Sequence, residues 1–163
     1  MNVLLVVDLC PRFKEKGRGS HFKRITKFAR EAKQNGYDLV YATVCKNTPK
    51  SPFFRYNSWI QHVDEIDKLE FNYDALFVKE SYGLNPSSNG ASDYSKLNKD
   101  YHYDIIGYDT EGCVLKIATD MFDRGFDFSV LTQYCFSSGG RKFHKIGLAV
   151  MRRLLGSALY DNR

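Results

Sequence analysis

The feature that most limits the fold of this chain is a repeated alternation. Short apolar runs, β-branched or aromatic and bounded by turn residues, lie at about Val3–Asp8, Asp38–Cys45, Ala75–Lys79, Tyr103–Tyr108 and Phe126–Thr132. Runs of that kind read as strands buried on both faces. Stretches with helical spacing separate them. Ser20 is placed to cap a helix running to about Gln34, with Phe22, Ile25, Phe28, Ala29 and Ala32 on one face and Asn35-Gly36 to end it. Ser58 opens a second helix through Trp59, Ile60, Val63, Ile66 and Leu69. A short helical piece is expected around Ser92–Asn98. Val114, Ile117, Ala118, Met121 and Phe122 make a helix that stops at Arg124-Gly125, and a last one runs from about Lys142 to Leu155 and stops at Gly156. Parallel strands need long crossovers, and helices supply them. The expected class is therefore α/β: a three-layer α/β/α sandwich around a doubly wound, Rossmann-like parallel sheet of five or six strands, the sixth short. Its 163 residues fit a single domain spanning 1–163.

Composition removes several function classes. Apolar content is 43% and charged content 26%, which suits a globular core rather than a disordered chain. No apolar run approaches the ~20 residues of a membrane helix. The opening Met1-Asn2-Val3-Leu4-Leu5-Val6-Val7-Asp8 lacks a basic leader and a cleavage site, so the expected location is the cytoplasm and no membrane partner is expected. Cys10, Cys45, Cys113 and Cys135 form no C-x-x-C pair and should be free thiols there. The four histidines show no metal-ligand spacing. A net charge of +5 is spread along the chain, densest at Lys14, Lys16, Arg18, Lys23, Arg24 and Lys27, and reads as a solvated face. A nucleic-acid partner is not expected.

The chemistry sits at strand ends. In open α/β sheets, ligands gather where the strands finish. Asp8 ends the first strand and Lys79 the third. Each is costly beside apolar neighbours unless the other compensates it. Cys113 follows the turn Gly107-Tyr108-Asp109-Thr110-Glu111-Gly112 and opens a helix, where backbone N–H groups and the helix dipole favour a thiolate. Together these residues offer an acid or base, a cation and a nucleophile. The Ser-, Asn- and Gly-rich stretch Tyr82–Ser95 is expected to be a long loop near them.

These residues match a pattern. The chain resembles the isochorismatase-like cysteine hydrolases, a family that includes nicotinamidases and N-carbamoylsarcosine-type amidohydrolases. The resemblance rests on Asp8 with Phe13 five residues on, on Lys79-Glu80-Ser81-Tyr82, and on Gly107-Tyr108-Asp109-Thr110-Glu111-Gly112-Cys113-Val114. The last fits the motif G-[VIY]-x-T-[DE]-x-C-V throughout. Phe122-Asp123-Arg124-Gly125-Phe126 and Ser137-Ser138-Gly139-Gly140 followed by His144 also look familial. The resemblance implies an isochorismatase-like fold and a catalytic Cys113, Asp8 and Lys79. Asp8 would move the proton, Lys79 would hold the charges, and Cys113 would attack a carbonyl carbon. It further implies an oxyanion hole from the Cys113 N–H and from a cis-peptide turn at Tyr108-Asp109. Phe13, Tyr82 and Tyr108 are the candidate substrate-binding residues. Relatives commonly form dimers or larger assemblies, so a homo-oligomer acting on a small-molecule substrate is expected.

The departures are informative. Nicotinamidases carry a D-x-H metal motif after the second strand. Here that place reads Val44-Cys45-Lys46-Asn47-Thr48-Pro49, and His62 is the sole histidine between the second and third strands. No metal and no other cofactor are expected, and nicotinamide is a doubtful substrate. Hydrolysis of an amide or ureido C–N bond is the leading reading. Vinyl-ether hydrolysis of isochorismate is an alternative, as is a non-catalytic scaffold. A redox sensor on Cys113 would need a resolving cysteine, and none lies near it in sequence. Arg12 and Arg55 are candidates for gripping a substrate carboxylate, and Phe53, Phe54, Tyr56 and Trp59 for lining the pocket.

Overall fold

A computed structural model describes residues 1–13, 19–49, 51–57, 66, 68–84 and 93–160. Six strands form one all-parallel sheet: β1 (Asn2–Val7), β2 (Leu39–Cys45), β3 (Ala75–Lys79), β4 (His102–Gly107), β5 (Asp127–Cys135) and β6 (Leu159–Tyr160). Their order is β3-β2-β1-β4-β5-β6, so the winding reverses between β1 and β4. The helices are α1 (Ser20–Arg30), α2 (Pro52–Tyr56), α3 (Leu115–Asp123) and α4 (Arg141–Leu155).

Alternation along β1 divides the core in two. Leu4 and Val6 point to one face, where Phe22, Ile25 and Ala29 of α1 cover them. Val3, Leu5 and Val7 point to the other, packed with Ile117 and Met121 of α3 and Met151 of α4. All five residues of β1 from Val3 to Val7 are fully buried, as a central parallel strand requires. Helices thus flank the sheet on both faces.

Several expectations shift. Ser20 does not cap α1; it is the helix's first residue, Gly19 holds the cap position, and no side chain bonds there. α1 ends at Arg30, with turns rather than helix to Gly36. The expected helix from Ser58 to Leu69 lies mostly outside the described residues, as do Trp59, His62 and residues 85–92 of the expected loop. A helix the periodicity did not reveal, α2, starts at Pro52, where Ser51 Oγ accepts the Phe53 N–H. The piece near Ser92–Asn98 is a single 3₁₀ turn, Asp93–Lys96. β5 runs on to Cys135 through an irregularity that pairs Gly107 with Cys135. β6 is two residues long.

Two glycines bring the chain close to itself. Gly107 has φ +124°, and a Cβ there would lie 2.0 Å from the Val7 carbonyl oxygen. A Cβ on Gly147 of α4 would lie 2.7 Å from the Glu111 nitrogen. Small residues at those points let β4 end beside β1 and let α4 press on the turn that follows β4.

Candidate active site

Asp8, immediately after β1, adopts φ +47°, a left-handed conformation that aspartate tolerates better than most residues. Its backbone N–H donates to the Thr43 carbonyl and to Thr43 Oγ1, both at 3.2 Å, and Thr43 Oγ1 donates to Asp8 Oδ1 at 2.8 Å. The other carboxylate oxygen, Oδ2, lies 2.7 Å from Lys79 Nζ. Both side chains are fully buried. Burial works against the lysine's charge, but the Asp8 carboxylate beside it holds its pKa well above the ordinary value. It remains an ammonium.

That ammonium is crowded. Nζ lies 2.9 Å from Cys45 Sγ, 3.0 Å from the Ser81 carbonyl and 3.2 Å from Cys113 Sγ, besides the contact with Asp8. Three protons face four acceptors. Cys45 Sγ donates to Asp8 Oδ2 at 3.4 Å. The Asp8 carboxylate and the two sulfurs lie within 4.8 Å of one another.

Cys113 is the fourth residue of a π-helical turn, Thr110–Val114, that leads into α3. It is 7% exposed. Hydrogen bonding with Cys45 and burial push its thiol well above the ordinary pKa, against the pull of Lys79. This reverses the expected thiolate: the helix start and the lysine do not outweigh the second thiol, burial and Asp8. A carboxylate oxygen of Asp8 lies within 4.8 Å of the Cys113 sulfur.

The turn itself is pinned from two sides. The Tyr108–Asp109 peptide is cis. Asp109 accepts from Ser138 N–H and Ser138 Oγ. Burial nevertheless pushes the Asp109 carboxyl up to about 6. Ser137 Oγ donates to Glu111 Oε1, and Thr110 Oγ1 lies 2.8 Å from His144 Nδ1. A cleft of about 420 Å³ opens beside the turn, lined by Tyr82, Asp109, Glu111, Gly112, Leu115 and Leu154 among others.

The structure thus brings Asp8, Lys79 and Cys113 together and sets Tyr82 and Asp109 on the cleft wall. Tyr82 packs edge-on against Phe53 and accepts a hydrogen bond from Asn57. Tyr108 is elsewhere. Its ring is fully buried against Phe22 and Phe136 on the α1 face, because strand alternation points residue 108 away from Gly107's side. Phe13 likewise packs against the α1-side core rather than lining the cleft. Arg55 lies over the Tyr56 ring, and Phe54 is exposed. Sequence reasoning missed Cys45 and Thr43. The available signal was period 2: both sit at the end of β2 on one face, and Cys45 is in register with Lys79.

The isochorismatase domain family matches residues 2–160. The chain belongs to the isochorismatase family. As a member of this family it is a hydrolase. The nicotinamidase PncA of Bacillus subtilis superposes with a TM-score of 0.72 at 16% identity, covering 98% of this chain and 99% of that one. Pyrazinamidase of Pyrococcus horikoshii, solved in complex with zinc, gives 0.70 at 21% identity over 93% and 94%. The MAR1 ribonuclease of Caenorhabditis elegans gives 0.60 at 16% over 93% and 72%. At these identities the likeness is one of fold. No curated protein matches the chain.

Zinc in one such structure raises the question of a metal here. Among the described residues, one group of three potential ligands exists, Asp8, Cys45 and Cys113. Lys79 Nζ already sits 2.7, 2.9 and 3.2 Å from their donor atoms. A cation placed among them would meet a buried ammonium, so this group does not fit a metal while Lys79 remains.

Proposed function

We propose that this isochorismatase-family hydrolase cleaves an amide or ureido C–N bond of a small molecule, with Cys113 as nucleophile. One observation carries the reading: a single buried ammonium touches both a carboxylate and a thiol, at 2.7 and 3.2 Å, and the thiol's neighbour Gly112 lines a cleft. Asp8 takes the Cys113 proton as the sulfur attacks the carbonyl carbon, then returns it to the leaving nitrogen. Lys79 keeps a positive charge beside the sulfur as negative charge develops there. The backbone N–H groups of Cys113 and Asp109 receive the oxyanion, donors of a kind worth roughly 3 kcal/mol each. Tyr82 and the apolar side chains of Leu115 and Leu154 hold the remainder of the substrate. The amidase names of two structural neighbours support C–N over C–O cleavage. The protein acts as a homo-oligomer, a reading supported by an exposed apolar stripe on α4, Phe143, Ile146, Val150 and Leu154.

The test is a panel of carboxamides, ureido acids and isochorismate, assayed with wild type and Cys113→Ala. Amine or ammonia release should fall at least about 10³-fold in the variant. Release that survives Cys113→Ala undiminished overturns the proposal.

A further inference from the structure

Cys45 is a second thiol inside the site, and hydrolysis as derived above gives it no role. It shares an ammonium with Cys113, at 2.9 and 3.2 Å from Lys79 Nζ. The two sulfurs and an Asp8 carboxylate oxygen all lie within 4.8 Å of one another. Cys45 also donates to Asp8 Oδ2 at 3.4 Å, so its own proton already faces a base. Each cysteine is 7% exposed, and the other two, Cys10 and Cys135, are more deeply buried and outside this cluster.

We propose that Cys45 is the resolving thiol of Cys113, and that a hydroperoxide converts the pair into a Cys45–Cys113 disulfide that reversibly shuts the site. The steps balance. Asp8 accepts the Cys113 proton, and the sulfur attacks the peroxide. An S–O bond forms, the O–O bond breaks, and the leaving oxygen departs as an alcohol or water after taking up a proton. Cys113 is now a sulfenic acid. Cys45 loses its proton to Asp8 and attacks that sulfur. The S–S bond forms, the S–O bond breaks, and hydroxide leaves and is protonated to water. Two thiols and one hydroperoxide thus give one disulfide and two molecules of water or alcohol. A dithiol reverses the change by exchange.

The geometry favours closure. A disulfide needs the sulfurs about 2.05 Å apart. They start within 4.8 Å of each other, one at the end of β2 and the other in the turn after β4. The disulfide removes the only thiol placed to attack a substrate carbonyl. This inference stands on the thiol pair and not on the amidase reading.

The experiment uses the native full chain and hydrogen peroxide at low molar excess, followed by thiol counting and peptide mass spectrometry. Free thiols should fall from four to two, and one cross-linked peptide pair containing Cys45 and Cys113 should appear and vanish on treatment with dithiothreitol. Cys45→Ser should instead give Cys113 sulfinic acid, which dithiothreitol does not reverse. Cys10→Ser and Cys135→Ser should leave the cross-link unchanged. Irreversible oxidation of Cys113 in the wild type with Cys45 still a free thiol overturns the proposal. So does a disulfide joining any other pair. Because the wild-type readout is a mass and not a rate, neither result depends on which substrate the enzyme hydrolyses.

Discussion

A thiol whose pKa is raised by its neighbours should respond to their removal in a definite direction. Hydrogen bonding with Cys45 is the largest influence raising the Cys113 thiol, ahead of burial. Cys45→Ala should therefore lower the pH midpoint for iodoacetamide alkylation of Cys113; an unchanged or higher midpoint contradicts the arrangement. The Asp8–Lys79 pair gives a second prediction. Removing one member leaves a buried charge uncompensated, so Lys79→Met should cost about 3–5 kcal/mol in urea unfolding. Asp8→Asn combined with Lys79→Met should recover much of that loss, because the orphan charge is gone as well. Asp8 and Lys79 were legible in the sequence as charges at the ends of apolar strands. Cys45 was not, because a cysteine closing a strand looks like filler until its register partner is known.

At the scale of elements, the turn after β4 is held by contacts that forbid substitution. Gly107→Ala puts a methyl group 2.0 Å from the Val7 carbonyl, at a φ that L side chains avoid. A loss on the order of 3 kcal/mol or more, or failure to fold, is expected from urea midpoints. The same turn carries a pH signature. Asp109 is raised by burial from its ordinary 3.8 to about 6. An acid shifted upward stabilises the fold fully below its unfolded value, and the contribution is lost as pH rises through the folded one. Relative to Asp109→Asn, wild-type stability should thus decline between about pH 4 and about pH 6 and stay level above. Urea unfolding across that range measures it, and a flat difference contradicts the burial of this carboxyl. Tyr108 teaches the opposite lesson: the motif named it, but strand alternation turned its ring into the α1-side core.

For the whole molecule, the sheet order makes one crevice. β1 and β4 lie side by side where the winding reverses, so Asp8 and the cysteine turn emerge together, and β2 and β3 deliver Cys45 and Lys79 alongside. No helix of the described residues is long and apolar enough to cross a membrane. The α4 stripe is the largest-scale prediction. Phe143, Ile146, Val150 and Leu154 recur at helical spacing and remain 38–52% exposed. Light scattering should show concentration-dependent self-association that Ile146→Glu with Val150→Glu abolishes. A wild type that is monomeric at all concentrations contradicts the reading.

Periodicity and turn chemistry were local properties, and they sufficed for the α/β class, for most strand positions and for placing Asp8, Lys79 and Cys113 at strand ends and the turn after β4. Those assignments need only neighbours along the chain. What surrounds the reactive groups is set by strands adjacent in space and distant in sequence. Thr43 anchoring Asp8 and Cys45 sharing the ammonium with Cys113 both depend on register between strands. Register is fixed by packing across the sheet, which no single stretch of sequence contains.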